Sequence, residues 1–251
     1  MSELFSVRAH SGFDRLFCRV LEESDVPHGF TLRTHGFGDR GQGNENRRRL
    51  VEALGLTGST YMRQVHGKTV RLVRTNDTIL EADGLLTDEP GLGLIVHSAD
   101  CLPLLFWSET TNAVAAVHAG WRGTLARVAT TAVRTLTREL GVEPQETHVA
   151  IGPAIRACCF EVGDEVVEAF AESGRNVSAI THDGPRGRKH LDLVADNRKQ
   201  LEEAGVAADR IYDCGRCTSC ENERFHSYRR QGEGVGRVIS IVGIRSRTSP
   251  S

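Results

Sequence analysis

Three segments of this chain carry residues able to do chemistry. His118 closes an apolar run and is followed by Ala119-Gly120-Trp121-Arg122-Gly123. A strand, a glycine-flanked turn and a helix start would put a side chain at an exposed strand end, beside free backbone N–H groups that suit an anion or a developing negative charge. Arg122 adds a fixed cation, although a tight turn around one buried tryptophan explains the same residues. Cys101 lies in Ser98-Ala99-Asp100-Cys101-Leu102-Pro103, a break between two apolar runs. Such a cysteine is either a small buried hydrophobe, the commoner case, or a reactive thiolate. Asp100 would raise its pKa unless a metal or a charged histidine is also near. His66, in Arg63-Gln64-Val65-His66-Gly67, precedes a glycine turn. Spacing alone does not single out His66, Cys101 and His118 among ten histidines and seven cysteines.

The most conspicuous pattern is Cys214-Gly-Arg-Cys217-Thr-Ser-Cys220. Two Cys-x2-Cys steps could hold zinc or part of an iron–sulfur cluster. No cysteine follows Cys220, His226 is the nearest other donor, and the adjacent Cys158-Cys159 are an awkward pair of ligands, so local packing is the favoured reading. Downstream, Phe225-His226-Ser227-Tyr228-Arg229-Arg230 sets paired arginines beside an aromatic, able to grip a phosphate or stack on a base, or simply a solvated turn. Gly41-Gln-Gly43 lacks the strand and helix that a phosphate loop requires.

The elements that must position these residues follow from periodicity. Leu92–His97, Leu102–Trp107 and Ala113–His118 are continuously apolar, which predicts strands covered on both faces. Short strands are also expected at Val70–Val73 and Arg237–Ile244. Leu125, Val128, Ala129, Ala132, Val133, Leu136 and Leu140 form one stripe, which predicts a long helix with Thr124 as N-cap and Gly141 at its end. Further helices are expected at Asn46–Leu54, Gly163–Glu172 and Asp192–Ala204. Thr34–Asn46 and Thr181–Lys189 read as loops, and Arg245–Ser251 as a frayed tail. Strands and helices mix without a regular βαβ beat, which predicts an α+β fold with mixed sheets. With no linker or repeat, the 251 residues read as a single domain over 1–251.

Composition excludes other classes. The chain is 39% hydrophobic and 25% charged, which rules out disorder, collagen and coiled coil. A net charge of −2 draws it to neither nucleic acid nor an anionic membrane. No apolar run is long enough for a membrane span or a signal peptide, so the expected compartment is the cytoplasm, where the cysteines are thiols, ligands or catalysts rather than disulfides. Monomer is the default, since no long exposed apolar face stands out.

Read together, the segments resemble one family. The series runs Arg63-Gln64-Val65-His66-Gly67, Ala82-Asp83-Gly84-Leu85-Leu86-Thr87, Ala99-Asp100-Cys101-Leu102-Pro103, Val117-His118-Ala119-Gly120-Trp121-Arg122-Gly123, Ile151-Gly152-Pro153-Ala154-Ile155, Cys217-Thr218 and Ser227-Tyr228-Arg229-Arg230. It is similar to the laccase-domain, or polyphenol oxidoreductase-like, family of purine nucleoside phosphorylases and adenosine deaminases, which includes a peptidoglycan editing factor. The likeness covers about residues 28–244. It implies mixed sheets packed together and flanked by helices, similar to toxin deamidases. It also implies a catalytic zinc held by His66, Cys101 and His118 with an open position, copper being adventitious at most.

The implied partners are purine nucleosides, methylthioadenosine among them, and phosphate. Arg122, Arg229 and Arg230 are the expected phosphate-binding cations. For deamination, the zinc would activate water for attack at C6 of adenine. The alternative is a cysteine-nucleophile amide hydrolase, fitting peptidoglycan-precursor editing, with Cys101 attacking and His118 as base. A soluble binding protein with a structural zinc is a third reading, for which the sequence offers no obvious fourth ligand. Three departures from the family stand out: a shortened loop over 34–46, His226 in place of an aromatic, and His97 in place of an apolar residue.

Overall fold

The continuously apolar runs form the inner strands of two mixed sheets. The computed structural model describes residues 4–10, 12–36, 43–75 and 80–246. Residues 37–42 of the shortened loop, Gly41 among them, and the end of the expected tail lie outside them. One sheet orders its strands Phe5–His10, Phe13–Cys18, His28–Thr31, Val238–Gly243, Leu92–Ser98, Gly58–Arg63 and Leu80–Glu81. The other orders them Ile211–Asp213, Thr147–Ile151, Leu102–Ser108, Val114–Ala119, Gly84–Thr87 and Val70–Leu72. The second sheet is antiparallel at its centre and parallel at both edges. The fold is therefore α+β with mixed sheets, as the sequence predicts.

Both faces of the central strands are buried, and alternation decides what each residue meets. Leu94, Val96 and Val238 of the first sheet pack between the sheets against Leu105, Val114 and Ala116 of the second. Their neighbours Ala115, Val117 and Ala119 turn the other way, onto Val128, Ala132 and Leu136 of one helix and Leu201 of another. Ile95, Ile239 and Ile241 face Leu50, Val51 and Leu54 on the far side of the first sheet. Each fully buried aliphatic side chain of this kind contributes about 1.5–3 kcal/mol.

Three helices form within a few residues of their predicted bounds, at Gly43–Ala53, Asp164–Glu172 and Leu193–Glu203. Asp192 caps the last of these, accepting from the backbone N–H of Ala195 at 2.9 Å. Thr181–Lys189 is not a plain loop: Thr181–Asp183 pairs with Lys189–Leu191 in a third, three-stranded sheet beside Glu161–Val162.

The long helix predicted after Gly120 breaks in two. Trp121–Leu125 is a short helix, Arg127 turns left-handed at φ 65°, and Val128–Leu140 follows. Arg175 donates to the carbonyls of Thr124 and Leu125 at 2.8 and 2.9 Å, and Gln200 also donates to Thr124 O. With those acceptors taken, the helix ends, and Leu125 packs with Val162 and Phe170 instead of on the stripe. Thr124 is thus no N-cap; its hydroxyl accepts from Asn197. No helix among the described residues is long and apolar enough to cross a membrane.

Candidate active site and metal centre

Strand register brings the first donors together. His118 pairs with Pro103, two residues after Cys101, and Val117 pairs with Gly84, so Asp83 lies beside His118. The His118 N–H donates to the carbonyl of Asp83 at 2.7 Å, and His118 Nδ1 lies 2.9 Å from Asp83 Oδ1. The same carboxylate, fully buried, accepts from the backbone N–H groups of His66 at 2.9 Å and Gly67 at 2.6 Å. Those bonds hold His66 in the left-handed region at φ 59°, a conformation that an L side chain rarely adopts. One acid therefore orients one imidazole and folds the loop that carries the other.

Cys101 arrives through a second anchored turn. Asp100, at φ 90°, accepts from the Thr218 hydroxyl at 2.6 Å and from the Arg229 N–H at 2.7 Å. His66, Cys101 and His118 then present one ligand atom each, all within 4.8 Å of one another. The imidazoles meet edge to face, centroids 4.9 Å apart. Gly120 makes the approach possible: a Cβ there would sit 3.1 Å from both Cys101 Sγ and His66 Cδ2.

The electrostatics follow from this geometry. Burial is the strongest influence on the Cys101 thiol and opposes its ionisation, but His118 and then His66 outweigh it and bring the thiol down to about 6. Two histidines stand beside the thiol, the circumstance in which Asp100 is not expected to raise it. Burial likewise pushes His118 down, but Asp83 and Cys101 reverse this and raise it to about 9. Two imidazoles and a thiolate suit zinc, and a carboxylate behind one imidazole is the usual support for a metal-ligating histidine. No fourth donor belongs to this group among the described residues, so the set is open on one side.

That side is a cavity of about 640 Å³, within the usual range for small-ligand sites. Tyr61, Trp121, Phe160 and Tyr228 supply aromatic faces to its wall, and Arg122, Arg229 and Arg237 supply cations. Arg122 lies over the Trp121 ring at 4.1 Å. Arg229 spends two of its five N–H donors on the carbonyls of Cys159 and Glu161, at 3.1 and 2.9 Å. Arg230 is exposed and is not among the lining residues. His97, one of the family departures, lines this cavity, and burial holds it neutral, its pKa pushed down to about 4.

Sequence reasoning missed the orienting role of Asp83 and the place of Arg237; an acid inside the apolar Ala-Asp-Gly-Leu-Leu segment was the available signal for the first. The cysteine pattern also assembles differently. Cys217 and Cys220 meet Cys158 and Cys159, the pair considered awkward, while Cys214 lies apart beside Arg156.

The family described as multi-copper polyphenol oxidoreductase laccase matches residues 24–245. A Deinococcus radiodurans protein named purine nucleoside phosphorylase is 36% identical over 239 residues, 88% of this chain and 90% of its own length. A protein from an unknown prokaryotic organism, named adenosine deaminase RL5, is 41% identical over 161 residues, 64% of this chain and 60% of its own. The crystal structure of YlmD from Geobacillus stearothermophilus superposes with a TM-score of 0.86 at 32% identity, covering 98% of this chain and all of that one.

Proposed function

This chain belongs to the multi-copper polyphenol oxidoreductase laccase family, and we propose that it is a purine nucleoside phosphorylase that also deaminates adenosine, acting at His66, Cys101 and His118. The observation that carries this is a three-donor set, braced by Asp83, opening onto a cavity walled by aromatic rings and arginines. The relatives' names agree with it.

In phosphorolysis a phosphate oxygen bonds to C1′ of the ribose while the glycosidic C–N pair leaves with the purine. Arg122 and Arg229 hold the phosphate; Arg229 still has three donors free of the two carbonyls that fix its plane. Trp121, Phe160 and Tyr228 present faces to the purine and exclude water from it. Bonded to Asp83 through Nδ1, His118 presents Nε2 to the centre, and His66 is aimed by the same acid. Zinc, the metal that this donor set fits, supplies Lewis-acid activation of water or of a substrate atom when bound. Methylthioadenosine belongs to the same substrate class. In deamination water replaces the C6 amine, releasing ammonia and inosine.

Zinc-loaded protein given adenosine tests this by chromatography. Adenine formed only with phosphate, and inosine formed without it, are the expected products, both absent from Cys101→Ala. A second reading has its own observation: Cys101, His118 and Asp83 stand in the order nucleophile, base and orienting acid. Labelling of Cys101 by a thiol probe at saturating zinc, with no turnover of any purine nucleoside, would favour an amide hydrolase instead.

A further inference from the structure

We infer that Cys158, Cys159, Cys217 and Cys220 form a second metal centre, a four-thiolate site for a single zinc ion that pins together two walls of the active-site cavity. The inference stands on these cysteines alone and does not depend on which reaction the cavity performs.

The sulfurs are already gathered. Cys220 Sγ lies 3.6 Å from Cys158 Sγ and 3.4 Å from Cys159 Sγ, and all four sulfurs fall within 4.8 Å of one another. A tetrahedron of sulfurs at roughly 2.3 Å from zinc has edges of about 3.8 Å, inside that spread. None of the four is in a disulfide. Cys220 stands almost equally near two partners, which suits a shared ligand set better than one pre-aligned pair. Four sulfurs this close leave room for one ion rather than for a cluster of irons.

The backbone supports the same reading. The Cys220 backbone is hydrogen-bonded to the Cys217 sulfur, which closes the Cys-x2-Cys turn. Thr218 N–H donates to Ala154 O at 3.0 Å, and Glu221 N–H to Cys217 O at 2.9 Å, so the turn is docked on the strand end that leads to Cys158. On the other side, the N–H groups of Cys159 and Phe160 both donate to Arg156 O at 2.8 Å. A turn that presents two consecutive cysteines is thereby fixed against the Cys-x2-Cys turn, 61 residues from Cys159 to Cys220.

Each turn leads into the cavity wall. Phe160 follows Cys159 directly, and Tyr228 and Arg229 come shortly after Cys220. Arg229 already bridges the two through the carbonyls of Cys159 and Glu161. An ion held by all four sulfurs makes that bridge covalent in effect, and its binding releases to solvent the protons that the thiols still carry. Two donor sets in one chain, one of two histidines and a cysteine and one of four cysteines, thus divide the work: an open site for reaction and a closed one for shape.

The test is metal stoichiometry on the full chain, purified under reductant and reconstituted with zinc. Two zinc ions per wild-type chain are expected, one in Cys101→Ala and one in the Cys217→Ser/Cys220→Ser double variant. X-ray absorption of zinc in Cys101→Ala should show four sulfur neighbours. Should the double variant fail to fold, the exposed Cys158→Ser carries the same comparison, with zinc affinity at this centre falling at least tenfold and cobalt-substituted protein losing intensity in its thiolate charge-transfer band. A single zinc per wild-type chain, lost with Cys101→Ala, overturns the inference. So does a zinc-free disulfide between these cysteines recovered from the reduced, reconstituted protein.

Discussion

The two sulfur-bearing clusters of this protein differ in almost every respect. At the first, one thiol meets two imidazoles, exposure runs from buried His118 to exposed His66, and a buried acid stands behind. At the second, four thiols meet, two of them exposed, and backbone turns rather than an acid align them. Three donors beside a cavity leave a coordination position for a reactant; a full set of four leaves none. In the proposed reading the difference separates a centre that transforms a ligand from one that shapes the space the ligand occupies.

The largest test of that contrast removes a donor from each. Cys101→Ala or His118→Ala should cost purine nucleoside phosphorolysis on the order of 10³–10⁴-fold, measured as kcat/KM under saturating zinc. The Cys217→Ser/Cys220→Ser variant should keep most of its turnover and lose chiefly substrate affinity. Equal losses at both would erase the distinction.

Asp83→Asn comes next. It keeps the shape but weakens the charge that orients His118, and zinc affinity at the first centre should fall roughly 10–100-fold in chelator competition, with the second centre unmoved. An unchanged affinity would show that Asp83 only folds the His66 loop.

Metal-free protein should separate the clusters by reactivity against exposure. With its pKa down at about 6, Cys101 is mostly thiolate at pH 7, and its ionisation is lost only as pH falls through that value. Cys220 is more exposed, yet the neighbouring Cys159 thiol and burial hold it up at about 11. Iodoacetamide at pH 7, read by mass spectrometry, should modify Cys101 about tenfold faster; faster labelling of Cys220 would mean that access outweighs ionisation. The smallest effect is expected from Gly120→Ala, whose Cβ would stand 3.1 Å from the Cys101 sulfur and should weaken zinc binding only a few-fold.

Much of this was legible in the chain, for identifiable reasons. Leu92–Ser98, Leu102–Ser108 and Val114–Ala119 announced themselves because burial on both faces demands continuous apolarity. The turn from His118 through Gly120 was visible from its glycines. What escaped was decided by distant partners. Arg175, 51 residues from Thr124, takes the carbonyls that would have continued the helix. Asp83 acts on a histidine 35 residues away. The pairing of Cys159 with Cys220 depends on a chain reversal that no local spacing encodes. The edge hairpin of Phe5–His10 and Phe13–Cys18 went unread because at the sheet edge the first strand buries none of Phe5 to Ala9, so no continuous apolar run marks it. The resemblance, rather than spacing, brought His66, Cys101 and His118 into one set.

The account turns on whether the first centre breaks the glycosidic bond. Zinc-loaded protein incubated with inosine and phosphate, beside Cys101→Ala, tests this directly. Hypoxanthine and ribose 1-phosphate released in equal amounts, only with phosphate and only by the parent protein, is the predicted result. Fully zinc-loaded parent protein that leaves inosine intact, or a Cys101→Ala variant that still cleaves it, would contradict the account.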